Sequence, residues 1–175
     1  MSLPTLRILA FINGIFLITL AVSMLVPVGT LLVFEQPQGI NAFLWSSLIT
    51  FVTGIAMIAQ GRPQHGQLRP RDMYMLTVSS WVLVSVFATL PFIFTQHASF
   101  TDAYFESMSG ITATGATIFT GLDDMSPGIL IWRSLLHWLG GIGFIAMAVA
   151  ILPMLRIGGM RLFQTESSDR SDKVK

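Results

Sequence analysis

The chain has 175 residues, of which 53% are hydrophobic and only 11% are charged, a balance that excludes an ordinary soluble domain and indicates an integral membrane protein. It contains no cysteine, so disulfides and thiolate metal sites are excluded. The net charge of +1, together with the lack of a basic face with interleaved aromatic residues, argues against a nucleic-acid partner.

Four segments are long and apolar enough to cross a bilayer, which requires about 20 apolar residues in a helix. They run over residues 8–34, 40–60, 73–94 and 128–155. The first is longer than a bilayer core requires, so we expect it to tilt or to kink at Pro27. Because this segment has no Lys/Arg-rich start and no convincing cleavage site, we interpret it as a retained span and not as a secretion signal.

The charged residues predict the orientation of a multi-pass protein. With four spans, nine of the ten Lys and Arg residues lie on the side of the termini and of the 61–72 loop, and only Arg133 lies toward the other side. That other side holds five of the nine acidic residues: Glu35, Asp102, Glu106, Asp123 and Asp124. The positive-inside rule therefore predicts that both termini are cytoplasmic.

A polar segment between the third and fourth spans is too short to cross the membrane. Its first part, SFTDAYFESMSG from Ser99 to Gly110, has the pattern of a helix with Ser99 or Thr101 as its N-cap. About 17 Å of helix cannot span a bilayer. We expect Gly110 to end the helix and the chain to continue as ITATGATIFTG. The interpretation is a re-entrant loop, in which the helix descends from the outer side and the extended chain returns.

This loop has the chemistry of an ion path. Irregular backbone at membrane depth is tolerated only where it is buried in protein or lines water, and its carbonyl oxygens can replace the hydration shell of a cation. Thr112, Thr114 and Thr117 offer hydroxyl groups, and Gly115 permits backbone angles that place successive carbonyls on one side. Acidic residues at the outer mouth attract cations. An ordinary Gly/Thr-rich outer loop is the alternative.

The motifs SGITATGAT, WLGGIGF and GGMRLFQTE, taken together, resemble those of the TrkH-type bacterial potassium uptake proteins of the Trk/Ktr/HKT transporter superfamily. The resemblance implies four span–loop–span units around a central pore, each giving a quarter of a K⁺ filter. By motif position, the filter residues here would be Thr112, Ala113, Thr114 and Gly115. It also implies the bacterial inner membrane, a homodimer at full length, a TrkA-like cytoplasmic nucleotide-binding subunit as regulator, and no cofactor, K⁺ being the transported ion.

Only one such unit is present in this sequence, and one loop cannot surround an ion. We therefore expect an N-terminal portion of a longer transporter, whose remaining pore loops come from the same or other chains. A self-assembling homotetrameric cation channel and a non-conducting membrane scaffold are the alternatives. The expected organisation is two leading spans with a cytoplasmic loop over 1–71, the span–loop–span repeat over 72–157, and a cytoplasmic tail over 158–175.

Several other residues have a structural and a functional interpretation. We expect Arg133 to hold the loop through an ion pair with Asp123, Asp124 or Glu106, and Glu106 to anchor the loop by a hydrogen bond in preference to tuning the field at the mouth. His137 is expected to be a hydrogen-bonded packing residue.

Three glycines in the fourth span, Gly140, Gly141 and Gly143, are expected to permit close helix packing in preference to flexibility. The segment Leu155–Phe163 is either a docking surface for a partner or the basic flank of a span. No nucleophile elbow, His/Glu metal motif or phosphate-binding glycine loop is found, so we do not expect an enzyme.

Overall fold

The computed structural model describes residues 3–61 and 70–151, with side chains over 5–61 and 71–145. All regular structure in this part of the chain is helical: α1 Leu3–Ser23, α2 Leu25–Val33, α3 Ile40–Gln60, α4 Pro70–Ala88, α5 Leu90–Gln96, α6 Phe100–Ile111, a 3₁₀ turn Leu122–Asp124, and α7 Pro127–Ile151. Two compact units are present, Met1–Gly141 and Ile142–Lys175. Most of the predicted cytoplasmic loop, the segment Leu155–Phe163 and the predicted tail lie outside the described residues.

Four helical stretches are long and apolar enough to cross a membrane: Thr5–Val33, Ile40–Gln60, Arg71–Gln96 and Pro127–Ile145. They coincide with the four predicted spans to within a few residues, apart from the end of the fourth, which lies outside the described residues. The predicted fold class, an all-α integral membrane protein, is confirmed.

Proline interrupts the first and third spans. In the first, the break lies at Met24, three residues before Pro27. Proline has no N–H for the carbonyl four residues back, here that of Ser23, and its ring crowds that carbonyl, so α1 ends at Ser23. In the third, Thr89 separates α4 from α5, and Pro91 is the second residue of α5. The expected break in the first span is therefore present. It lies at Met24 and not at Pro27, because the hydrogen bond that Pro27 cannot make would go to the carbonyl of Ser23.

The two leading spans pack closely through small residues. A Cβ atom added to Gly14 would lie 2.7 Å from the carbonyl oxygen of Gly54, and one added to Gly54 would lie 3.0 Å from that of Gly14. Such glycine contacts let helix backbones approach where lipid gives no hydrophobic drive for association. Nearer the kink, the Ser47 hydroxyl of α3 donates to the Ala21 carbonyl of α1 over 2.8 Å.

The third and fourth spans are joined at the proline break by a tryptophan. The indole N–H of Trp132 in α7 donates to the carbonyl oxygen of Ala88, the last residue of α4, over 3.3 Å. Trp132 is fully buried and lies edge-on to Phe43 of α3, with ring centroids 6.4 Å apart. The Trp132 side chain of the fourth span thus contacts both the third span, at Ala88, and the second span, at Phe43.

Replacing Trp132 with phenylalanine is expected to lower the free energy of unfolding by about 1–3 kcal/mol, because the Ala88 carbonyl would remain buried without a donor. Trp138, on the same helix, is 64% exposed, so Trp138→Phe is a matched control that we expect to change stability by less than about 0.5 kcal/mol. Thermal unfolding in detergent measures both variants. Equal midpoint shifts for the two would contradict the assigned hydrogen bond.

Candidate functional site

The segment between the third and fourth spans contains a helix of half the length of a span. Helix α6 covers twelve residues, Phe100–Ile111, which is about 18 Å. Ser99 is its N-cap, in an extended conformation, and its hydroxyl accepts a hydrogen bond from the Asp102 N–H over 3.2 Å. Of the two predicted caps, Ser99 and Thr101, the structure therefore has Ser99.

Gly110 does not end this helix, so that prediction is wrong. The helix continues to Ile111, and a Cβ atom added to Gly110 would lie 3.0 Å from the Leu136 Cβ of α7. The glycine therefore serves a close approach between α6 and α7, not a change of chain direction.

The change of direction comes three residues later, at an alanine. Ala113 has a φ of 55°, in the left-handed region. Its N–H donates to the Gly110 carbonyl over 2.9 Å, and the Thr114 N–H donates to the Ser109 carbonyl over 3.0 Å. This pair of bonds is the Schellman arrangement, in which glycine is the usual left-handed residue. With alanine in that place the conformation costs about 1–2 kcal/mol.

Contacts with the neighbouring helices give the depth of this helix end. A Cβ atom on Gly140 would overlap the carbonyl oxygen of Ile111, and Gly140 lies thirteen residues, or about 20 Å, along α7 from Pro127. On the other side, the Ser85 hydroxyl is 3.5 Å from the Met108 sulfur, eleven residues before the end of α5 at Gln96. The eleven residues correspond to about 17 Å of helix. Each of the two lengths, along α7 and along the third span, is more than half of a bilayer core of about 30 Å. The helix therefore ends between the third and fourth spans, well inside the span ends that the loop connects.

The predicted filter residues Thr112, Ala113, Thr114 and Gly115 follow directly and are all exposed. Gly115 is the second residue of this stretch with a left-handed backbone, at φ 77°. The Thr112 and Thr114 hydroxyl oxygens are 2.9 Å apart. Within the described part of the chain, no hydrogen bond reaches the carbonyl oxygens of these four residues. The turn thus presents unengaged carbonyls on an open face.

The part of the loop that follows Gly115, residues 116–120, is called the returning limb below, and a buried carboxylate holds it. Glu106 Oε2 accepts hydrogen bonds from the Thr117 hydroxyl over 3.0 Å and from the Ile118 N–H over 3.2 Å. Its Oε1 is 2.9 Å from Arg133 Nη2, and the two side chains are 2% and 13% exposed. Of the three carboxylates expected to pair with Arg133, the structure selects Glu106, which anchors the loop as expected. The Thr117 hydroxyl, one of three that the sequence offers to a cation, donates to Glu106.

Ser109 is a site residue that sequence reasoning missed. Its hydroxyl donates to the Ala116 carbonyl over 2.6 Å, and its own carbonyl accepts from the N–H groups of Thr114 and Gly115. One residue of α6 therefore contacts the chain on both sides of the turn. The sequence feature that could have indicated Ser109 is its position in the last turn of a short helix, just before a Gly/Thr-rich segment.

His137 lies behind the turn. Its Nδ1 is 2.9 Å from the Arg133 carbonyl oxygen, and because a carbonyl only accepts, Nδ1 carries the proton. A Cβ atom on Gly115 would lie 3.7 Å from Nε2. The expectation of a hydrogen-bonded packing residue is confirmed. Close packing is also confirmed for Gly140, whereas a Cβ on Gly141 would meet none of the described atoms within 4 Å.

The oxygen atoms near this loop differ in what they can offer to a cation. In the described ranges, no group of three or more His, Asp or Glu side chains could hold a metal ion. Asp102, Asp123 and Asp124 are exposed near the two ends of the segment between the third and fourth spans, while Glu106 is engaged by Arg133. The turn itself can offer only backbone carbonyls and threonine hydroxyls.

Four stretches long and apolar enough to cross a membrane, with a half-length helix and a turn rich in free carbonyls packed between the last two, define the class as an integral membrane protein. The family model described as "TrkH: Cation transport protein" matches residues 39–175, and the chain belongs to this family. The family is one of transport proteins, which confirms the expectation that the chain is not an enzyme.

Similar proteins include the Trk system potassium uptake protein TrkI of Halomonas elongata, 42% identical over 98% of this chain and 34% of that protein. The Trk system potassium uptake protein TrkH of Escherichia coli K12 is 36% identical over 91% of this chain and 33% of that protein. The crystal structure of the potassium transporter TrkH from Vibrio parahaemolyticus superimposes with a TM-score of 0.82 at 34% identity, covering 96% of this chain and 36% of that one. The chain thus spans about a third of the length of these relatives.

Proposed function

We propose that this chain supplies one quarter of the selectivity filter of a potassium uptake transporter. The observation that carries the proposal is the turn Thr112–Gly115, whose carbonyl oxygens are unengaged at the end of a half-length helix buried between spans. Carbonyl oxygens in such a position replace the water around a monovalent cation. The left-handed residues Ala113 and Gly115 permit these oxygens to share one side of the chain.

One loop gives an ion oxygens on one side only, so the complete filter needs further loops. The names of the similar proteins, which are potassium uptake proteins about three times as long as this chain, favour a transporter in which the other loops belong to the same assembly. The homotetrameric channel built from this chain alone is the competing arrangement, and the non-conducting scaffold is the third.

A chimera tests the proposal directly. This chain replaces the matching third of the Escherichia coli relative, and the product is expressed in cells that lack their own potassium uptake systems. We expect growth at low external K⁺ and K⁺-dependent uptake of ⁸⁶Rb⁺. A chimera that reaches the membrane but leaves the cells without uptake would contradict the proposal. K⁺ flux into liposomes from the unmodified chain alone would favour the homotetramer.

We also propose a bacterial inner-membrane location with both termini cytoplasmic, supported by the charge asymmetry of the sequence. Because these 175 residues contain no cysteine, single cysteines introduced into this chain report its orientation without background. Asp124→Cys is expected to react with an impermeant maleimide added outside spheroplasts, and Gln64→Cys only after the membrane is opened. The reverse pattern would overturn the orientation.

Two partners belong to the proposal and come from the family resemblance. A TrkA-like cytoplasmic nucleotide-binding subunit would regulate the transporter, and the full-length protein would be a homodimer. Co-purification of the chimera with the TrkA-type subunit of its host, and crosslinking between two differently tagged copies in the membrane, test these two points separately.

A further inference from the structure

We propose that the Glu106–Arg133 pair is a positioning device that fixes the filter backbone beyond Gly115 and so sets the discrimination between K⁺ and Na⁺. This inference rests on the proposed function of the loop. Neither residue belongs to the four proposed filter positions, and neither needs to touch the ion.

The pair joins three separate elements through one carboxylate. Glu106 belongs to α6, Arg133 to α7, and the returning limb contributes the Thr117 hydroxyl and the Ile118 N–H. Both carboxylate oxygens are engaged, one by the guanidinium and the other by the limb. Burial of a carboxylate is unfavourable unless it is paired and hydrogen-bonded, and Arg133 provides that partner for the Glu106 side chain that holds the limb.

The limb is fixed at two points on either side of Thr117. Ser109 donates to the Ala116 carbonyl over 2.6 Å, and Glu106 accepts from the Ile118 N–H over 3.2 Å. The backbone between Gly115 and Ile118 is therefore held from behind by α6. Loss of the Glu106 contacts leaves the chain held only by Ser109, through the Gly115 N–H and the Ala116 carbonyl. The backbone beyond Ala116 is then released, and the Gly115 carbonyl is held less firmly.

The pair has no net charge. Its two opposite charges are 2.9 Å apart, so their effects on a cation oppose each other. Discrimination between K⁺ and Na⁺ depends on the spacing and number of the coordinating carbonyls. The pair therefore acts through the position of the backbone. Substitutions of the two residues should then change the K⁺/Na⁺ ratio differently than they would if the pair acted through its electric field.

The decisive comparison is between two variants with opposite charge changes, Glu106→Gln and Arg133→Gln. The first leaves an unpaired cation and the second an unpaired anion. If the pair positions the limb, both variants lower the ratio of K⁺ to Na⁺ uptake in the same direction, by roughly tenfold, the effect of one lost charge-assisted hydrogen bond on an equilibrium. If it acts through its field, cation uptake falls in one variant and rises in the other while the K⁺/Na⁺ ratio is kept.

A milder set of variants protects the test against failed insertion. Thr117→Val removes the hydroxyl that donates to Glu106, and with it the 3.1 Å bond that this hydroxyl accepts from the Phe119 N–H, but leaves the ion pair intact. It is expected to lower the K⁺/Na⁺ ratio, whereas Thr117→Ser, which keeps the hydroxyl, is expected to retain it. Thr120→Val is the matched control, an exposed threonine on the same limb.

All variants are made in the uptake-competent chimera, with membrane amounts measured and ⁸⁶Rb⁺ and ²²Na⁺ uptake compared. Unchanged ratios in Glu106→Gln, Arg133→Gln and Thr117→Val would overturn the inference and leave the filter assignment standing. Failure of the filter assignment has another signature, because a bulky residue at Gly115 would then leave K⁺ uptake intact.

Discussion

Gly115→Val is expected to abolish K⁺ uptake by a transporter that contains this chain. Gly115 has a φ of 77°, which a β-branched residue adopts only at a strain of about 1–3 kcal/mol. Space alone does not forbid a side chain, since a Cβ would lie 3.7 Å from His137 Nε2, an ordinary contact. The expected loss therefore comes from the backbone, which would leave the left-handed region and turn its carbonyl away from the ion. Tracer uptake measures the effect.

The same loop offers a matched control. Gly121 has a φ of 67°, nearly that of Gly115, and a Cβ there would meet no described atom within 4 Å. Gly121→Val therefore introduces the same kind of strain outside the four proposed filter positions, and we expect it to retain K⁺ uptake. Loss of uptake in both variants would mean that the loop responds to strain in general, and not that Gly115 has a special role.

Gly140→Ala is the second substitution with a large expected effect, although it adds only one methyl group. The added Cβ would overlap the Ile111 carbonyl oxygen at the end of α6, and this oxygen is backbone that no rotamer change can move away. Helix α7 must then shift from the end of α6, at a cost of about 1–3 kcal/mol or more. We expect a lower unfolding temperature in detergent and a strong fall in K⁺ uptake, measured on the same preparation.

The neighbouring glycine separates packing from helix propensity. A Cβ on Gly141 would meet no described atom within 4 Å, and alanine is a better helix former than glycine by about 1 kcal/mol. Gly141→Ala is thus expected to leave stability and uptake unchanged or slightly raised. If Gly140→Ala behaved in the same way, the close contact between α6 and α7 would be absent in the membrane.

The spans were predictable because their signals are local. Hydropathy located all four, and the missing N–H of Pro27 implied a break in the first. The half-length helix was predictable for the same reason, since Ser99 is a cap and the segment is short. The four proposed filter positions, in contrast, came from the resemblance to a family, and composition would have permitted an ordinary loop.

The details of the loop depend on tertiary contacts that sequence patterns do not contain. Glycine serves both as a left-handed residue and as a small one, and the sequence could not show that Gly110 has the second use. Ala113 in a left-handed turn could not be expected from an alanine. The choice of Glu106 over Asp123 and Asp124 as the partner of Arg133 is a matter of distance between helices.

The acidic residues of the loop fall into two groups with different surroundings. Asp102, Asp123 and Asp124 face solvent, where mobile ions screen them within about 10 Å at 0.1 M ionic strength. Glu106 is buried beside its guanidinium partner, where bulk electrolyte has little access. Dissolved salt therefore weakens the attraction of cations to the exposed aspartates, whereas it has little effect on the buried contacts that hold the loop. If the turn is the ion site proposed above, added salt is expected to slow the arrival of cations without changing which ion is preferred.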